Sequence, residues 1–163
     1  MITVGILTIS DKGSLGQRED LSGLEIESLI KELPARVDAY EIIPDEKDII
    51  ANKIIDYVDN MKLDLVITTG GTGVSPRDVT PEATSRVIDR EVPGMAEAMR
   101  FEGIKKTPFA MISRAVVGIR ENSLIVNLPG SPKAVSENLN TILPCLPHAI
   151  AKIKGDSSEC ASV

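Results

Sequence analysis

A chain of 163 residues is long enough for one domain with a sizeable core, burying about 70% of the surface its unfolded form would expose. Hydrophobic residues make up 42% and charged residues 26%, while Trp is absent and aromatics are 2%, so Ile, Leu, Val and Ala must build that core. Lys and Arg number 18 against 24 Asp and Glu, a net charge of -6 with no basic block, which argues against nucleic acid as a partner; Cys145, Cys160 and the single His148 are too few for a disulfide framework or a structural zinc site.

No apolar run reaches the roughly 18 residues of a membrane span, and Met1-Ile2-Thr3-Val4-Gly5 lacks a charged region ahead of its apolar stretch, so the expectation is a chain that begins here and stays in the cytosol. Ile2 to Ser10 is a continuous apolar run rich in Ile, Val and Thr and predicts a strand buried on both faces, followed by a loop from Asp11 to Gly16. The spacing of Leu21, Leu24, Ile26, Leu29, Ile30 and Leu33 predicts an amphipathic helix ended by Pro34. Val37 to Ile43 reads as a second strand. Pro44-Asp45-Glu46 then opens a helix carrying Ile50, Ile54, Val58 and Met61, and Leu63 to Thr69 is a third strand.

Beyond Gly73, Thr80-Pro81-Glu82 predicts a helix with Thr80 as cap, and another helix is expected from Pro93 to Gly103. Val116 to Leu128 reads as a hairpin around Glu121-Asn122. Ser131-Pro132-Lys133 is a further cap-plus-proline start, with the closing helical pattern interrupted at Pro144. Strands alternating with helices predict an α/β three-layer sandwich: a mainly parallel sheet, helices on both faces and a small β-hairpin. Residues 1–155 are expected to form one domain, and 156–163 a flexible C-terminal tail.

The sharpest local feature is Gly70-Gly71-Thr72-Gly73, directly after a buried strand. Glycines there let backbone N–H groups turn toward an anion with no Cβ in the way, and phosphate is the natural ligand. The run matches neither the Walker sequence nor the dinucleotide fingerprint, whose third glycine is replaced by Pro76. Two more loops belong on the same edge of a parallel sheet: Ser10-Asp11-Lys12-Gly13-Ser14, and Pro129-Gly130-Ser131 at a helix start. Asp45 and Asp78 are the candidate magnesium carboxylates, since magnesium arrives with polyphosphate and takes one or two carboxylates. For Asp45 the competing reading is a helix cap. Arg77, Arg114 and Lys133 are candidate counter-charges. His148, in a helical apolar stretch beside Pro147, reads as a packed or surface residue rather than a hydrolase base.

Taken together, these motifs resemble the MogA/MoaB family of molybdenum-cofactor biosynthesis. The match runs from Thr8-Ile9-Ser10-Asp11 through Ile43-Pro44-Asp45-Glu46, Thr69-Gly70-Gly71-Thr72-Gly73 and Arg77-Asp78-Val79-Thr80-Pro81-Glu82 to Val92-Pro93-Gly94-Met95, Ser113-Arg114 and Asn127-Leu128-Pro129-Gly130-Ser131-Pro132. The resemblance implies a molybdopterin adenylyltransferase that uses magnesium and ATP, forms a homotrimer and passes its product to a separate molybdenum-insertion protein. On this reading Asp45 and Asp78 hold magnesium and are catalytic. Gly70, Gly71, Thr72, Gly73, Ser10 and Asp11 bind nucleotide phosphates, and Pro129, Gly130, Ser131, Arg77 and Lys133 contact molybdopterin. Some relatives lack transfer activity, so a molybdopterin-binding paralogue is the alternative. A phosphate-ester hydrolase using the same cleft is a third reading, and predicts ATP cleavage without molybdopterin.

Overall fold

The computed structural model describes residues 1–157. In chain order the elements are β1 (Ile2–Ile9), α1 (Asp11–Ser14), α2 (Leu21–Ile30), β2 (Ala35–Ile43), α3 (Lys47–Ile55), β3 (Leu65–Thr69), α4 (Thr80–Val87), β4 (Arg90–Glu91), α5 (Pro93–Ile104), β5 (Val117–Arg120), β6 (Ser123–Leu128), α6 (Pro132–Ile142) and α7 (Leu146–Ile153). A π-helical turn, Asp56–Asn60, extends α3, and 3-10 segments run over Pro108–Ile112 and Leu143–Cys145.

The strands form one sheet in the order β2-β1-β3-β6-β5-β4. The four from β2 to β6 are parallel, and β5 and β4 close the edge antiparallel. The expected hairpin is therefore β5 and β6, turning at Glu121-Asn122. The central strands are buried on both faces, which is why their sequences are continuous apolar runs instead of alternating ones. Alternate residues feed opposite layers: Val4, Ile6, Leu65, Ile67 and Val126 pack with α2, α5, α6 and α7, while Leu7, Ile9, Val66 and Ile125 pack with α3 and α4. Each such side chain contributes about 1.5–3 kcal/mol on transfer from water. Met95 and Met99 sit in the first layer, as expected.

Several local expectations are corrected. The stretch after β1 is a short helix rather than a loop: the Ser10 hydroxyl accepts from the Gly13 N–H at 3.0 Å and caps α1. On α2, Leu21 and Leu24 are exposed, because Ser22 and Gly23 face inward, where Tyr40 leaves no room for larger side chains. Met61 is likewise exposed. Thr80 does not cap α4; Val79 holds the cap position, and the Thr80 hydroxyl donates to the Gly70 carbonyl instead. Asp45 does not cap α3, which begins at Lys47 behind Glu46. Strand β4 and the Pro108–Ile112 turn carry no pattern that periodicity detects. Of the tail, residues 158–163, Cys160 among them, lie outside the described residues.

Candidate active site

Parallel topology delivers the loops after β1, β2, β3 and β6 to one end of the sheet. There the glycine loop after β3 is stitched to the loop after β6. The Gly70 N–H donates to the Leu128 carbonyl at 3.1 Å, and the Thr69 hydroxyl donates to the Pro129 carbonyl at 2.7 Å. From the other side, the Thr80 N–H donates to the Gly71 carbonyl at 3.2 Å. Gly70 (φ 100°) and Gly71 (φ 64°) are both left-handed. A Cβ on Gly70 would collide with the Ile9 carbonyl oxygen, and one on Gly71 with the Thr80 hydroxyl, so the path admits only glycine at both. Beneath it the buried Asn127 amide donates to Thr68 at 3.0 Å and to Thr84 at 2.9 Å, and its oxygen accepts from the Val116 N–H.

Two cavities flank this seam and share Gly71, Gly130 and Ser131. The first, about 460 Å³, is walled by Ser10, Arg18, Glu19, Asp20, Asp45 and Gly70 among others. The second, about 420 Å³, has an apolar wall that includes Met99, Phe109, Ala110, Ile112 and Ala134, with Thr72, Gly73 and Asp78 at its edge. Thr72 is buried, but Gly71 and Gly73 remain accessible.

Asp45 and Asp78 stand on opposite flanks of the glycine loop. An Asp45 carboxylate oxygen lies 3.3 Å from where a Gly71 Cβ would be, and an Asp78 oxygen lies 2.9 Å from the equivalent point on Gly73. Burial pushes the Asp45 carboxyl above its ordinary range; the charges of Asp11 and Asp78 act in the same direction, opposed by a backbone hydrogen bond from Asp11 and by the charge of Arg77. Asp78 also accepts the Ser75 N–H at 2.8 Å. Among the described residues, no three His, Cys, Asp or Glu side chains converge as a ready-made metal cage. Two carboxylates, one on each side of the glycine loop, are the donor type that magnesium takes when phosphate oxygens supply its remaining ligands.

The remaining expected residues divide. Ser10, Gly130 and Ser131 line the first cavity, and Pro129, Gly130 and Ser131 the second. Asp11 lines neither; its N–H donates to Asp45 at 2.8 Å, and its carboxylate accepts the Asp45 N–H at 3.0 Å. Arg77 and the exposed Lys133 also line neither. Arg114 is spent on structure: it donates to the Gly73 carbonyl at 2.7 Å and the Asp78 carbonyl at 2.7 Å, and pairs with Glu82. It braces the glycine loop.

One carboxylate escaped the sequence reading as a site residue. Asp20, on the first cavity's wall, accepts hydroxyl hydrogen bonds from Thr8 at 2.5 Å, Tyr40 at 2.6 Å and Ser22 at 3.1 Å, and the Gly23 N–H at 2.9 Å. Burial alone would raise its pKa, but these hydrogen bonds outweigh burial and hold it below its ordinary value. The only local signal was an Asp immediately before a helix, an N-cap signature.

Known proteins resemble this chain over nearly its whole length. The chain is 44% identical over 157 residues to a molybdopterin adenylyltransferase of Helicobacter pylori, spanning 95% of this chain and 89% of that one. It is 46% identical over 158 residues to the molybdenum cofactor synthesis protein cinnamon of Drosophila melanogaster, covering 96% of this chain and 26% of that longer protein. Its fold superposes with TM-score 0.91 on the molybdopterin biosynthesis enzyme MoaB of Thermus thermophilus, at 51% identity over 96% of this chain and 98% of that one. Residues 5–148 match the family described as a probable molybdopterin binding domain, and the chain belongs to that family, in its MogA/MoaB branch.

Proposed function

We propose that this protein is a molybdopterin adenylyltransferase. A terminal phosphate oxygen of molybdopterin attacks the α-phosphorus of ATP, the bond from that phosphorus to the bridging oxygen breaks, and pyrophosphate leaves with the electron pair. The observation that carries this reading is the seam: two cavities of similar volume meet at Gly71, Gly130 and Ser131, with Asp45 on the wall of one and Asp78 at the edge of the other. Each reactant is a flat heterocycle ending in phosphate, and each cavity is large enough for one. The names of the curated relatives support the same chemistry.

Both reactants are polyanions, so the barrier lies in repulsion and alignment rather than in forming an enzyme-bound intermediate. Backbone N–H groups of Gly70 to Gly73, with Ser10, Asp11 and the α6 N-terminus at Ser131, would receive the phosphates. Pro129, Gly130 and Ser131 would lie against molybdopterin. Asp45 and Asp78 would hold magnesium, which would supply charge neutralisation at the phosphates. Neither Arg77 nor Lys133 lines a cavity, so the molybdopterin contacts fall to Pro129, Gly130 and Ser131.

Assembly is part of the proposal. Phe101, Ile104, Phe109, Met111 and Ile112, on α5 and the 3-10 segment after it, are exposed, Phe109 by 75%. Such a run of apolar side chains on neighbouring elements supports self-association, and the family resemblance implies that the assembly is a homotrimer. The expected product acceptor is a separate molybdenum-insertion protein. Among the described residues no helix is long and apolar enough to cross a membrane; the cytosol, which supplies magnesium and ATP, is the proposed location. Residues 1–155 are taken as the functional unit.

Mixing the protein with molybdopterin and magnesium-ATP and measuring pyrophosphate tests the reading: release that requires molybdopterin is expected. The second reading, which the family resemblance leaves open, is a molybdopterin-binding relative without transfer activity. Tight pterin binding with no pyrophosphate would establish that reading in place of the first.

A further inference from the structure

We infer that Arg77 is a positioning residue, a clamp that ties the glycine loop to the loops after β1 and β2 and so sets Asp45 against Asp78, rather than a ligand for substrate phosphate. The role extends the adenylyl-transfer reading and rests on it for its catalytic consequence. The geometry itself does not depend on that reading.

Arg77 lies one residue before Asp78, at the far end of the glycine loop. Its guanidinium reaches two other loops at once. The Nε donates to one Asp11 oxygen at 3.1 Å, and one terminal nitrogen donates to both Asp11 oxygens, at 2.9 Å and 3.0 Å. The same terminal nitrogen donates to Glu46 at 2.9 Å. Asp11 in turn exchanges reciprocal backbone-to-carboxylate hydrogen bonds with Asp45, at 2.8 Å and 3.0 Å. A continuous path of hydrogen bonds therefore runs from the Asp78 segment through Arg77 and Asp11 to Asp45.

Simple exposed ion pairs contribute little, and Arg77 is 55% exposed. This one differs in that a forked guanidinium engages one carboxylate with two of its nitrogens and a second carboxylate besides, joining segments 66 and 31 residues apart. Two acidic partners also neutralise the arginine, which leaves it poorly suited to attract a phosphate. The Arg77 hydrogen bonds hold the Asp11 carboxyl below its ordinary range, so both of its oxygens stay available as acceptors.

The test needs no substrate. Amide hydrogen exchange is read at Asp11 and Asp45 in the full ligand-free chain, with the Ile67 amide of the central strand as control for global unfolding. Arg77→Met is expected to speed exchange at both amides about fivefold and leave Ile67 unchanged, while Arg77→Lys, which keeps the charge and loses the fork, falls between. Glu46→Gln is expected to give about a twofold effect in the natural background and none in the Arg77→Met background, since Glu46 acts on these amides only through Arg77. Unchanged exchange in Arg77→Met, or Glu46 and Arg77 effects that simply add, would overturn the clamp. Turnover separates the two proposals. Arg77→Met should lower kcat about tenfold with KM for molybdopterin and for magnesium-ATP each within about twofold; a large rise in either KM with undisturbed amides makes Arg77 a ligand instead. If the natural protein releases no pyrophosphate, adenylyl transfer fails while the exchange result stands on its own.

Discussion

The two cavities differ in what holds their walls in place. The first is built from polar side chains that satisfy one another: Asp20 alone gathers Thr8, Tyr40, Ser22 and the Gly23 N–H. The second is built by packing, with Met99, Ala134 and the Pro108–Ile112 turn forming its apolar side. One wall is therefore sensitive to the loss of a single acceptor and the other to shape. Since both cavities open onto the same three residues, damage to either should reach the chemistry by a different route.

The largest expected effect falls on the polar wall. Asp20→Ala removes the α2 cap and leaves the Thr8 and Tyr40 hydroxyls without their acceptor, which together cost about 2–3 kcal/mol of stability. Urea denaturation measures it, and a loss below about 0.5 kcal/mol would show that solvent replaces the network. Asp78→Asn belongs to the seam itself. It should keep the fold while cutting turnover at least about tenfold, some 1.4 kcal/mol of barrier. Undiminished pyrophosphate release removes Asp78 from the mechanism.

A smaller pair of effects tests whether the cavities are separate subsites. Ala134→Phe fills part of the second cavity, and Arg18→Glu reverses a charge on the wall of the first. Each is expected to raise KM for one reactant by about fivefold to tenfold and leave the other within about twofold, with the affected reactant differing between the variants. If both variants impair the same reactant, one cavity serves both and the seam is not where they meet.

The contrast also explains what could be read in advance. Strands β1, β3 and β6 were legible because burial on both faces writes itself as unbroken runs of Ile, Leu, Val and Thr. The glycine loop was legible because two consecutive left-handed residues, Gly70 and Gly71, admit no other side chain. The Asp20 cluster was not, since its partners come from positions 8, 22 and 40 and only the sheet brings them together. The acidic partners of Arg77 were hidden for the same reason: they lie 66 and 31 residues away in the chain. Thr80 carried the signature of a cap, yet a tertiary acceptor, the Gly70 carbonyl, claimed its hydroxyl. Leu21 and Leu24 fitted the helical spacing, but the close approach of Tyr40 turned the small residues inward.

The smallest effect sets the two cavity carboxylates against each other by the sign of their response to pH. For Asp20 the folded-state pKa is depressed, so its contribution to stability is complete above the unfolded value, about 3.9, and is lost as pH falls through the folded value. For Asp45 the folded-state pKa is raised, so between the unfolded and folded values the native state holds more protons and stability falls as pH rises. Above both values, Asp45 stays ionised at a cost to the ligand-free fold. Asp45→Asn should therefore raise the neutral-pH Tm slightly, measured without magnesium or nucleotide, while depressing turnover; the Asn oxygen can still accept the Asp11 N–H. That pairing of a steadier fold with weaker chemistry is the mark of a charge kept for a ligand rather than for structure. A lower Tm for Asp45→Asn would mean that the carboxylate is a structural acceptor, and the charge facing the glycine loop would lose its claim to a metal.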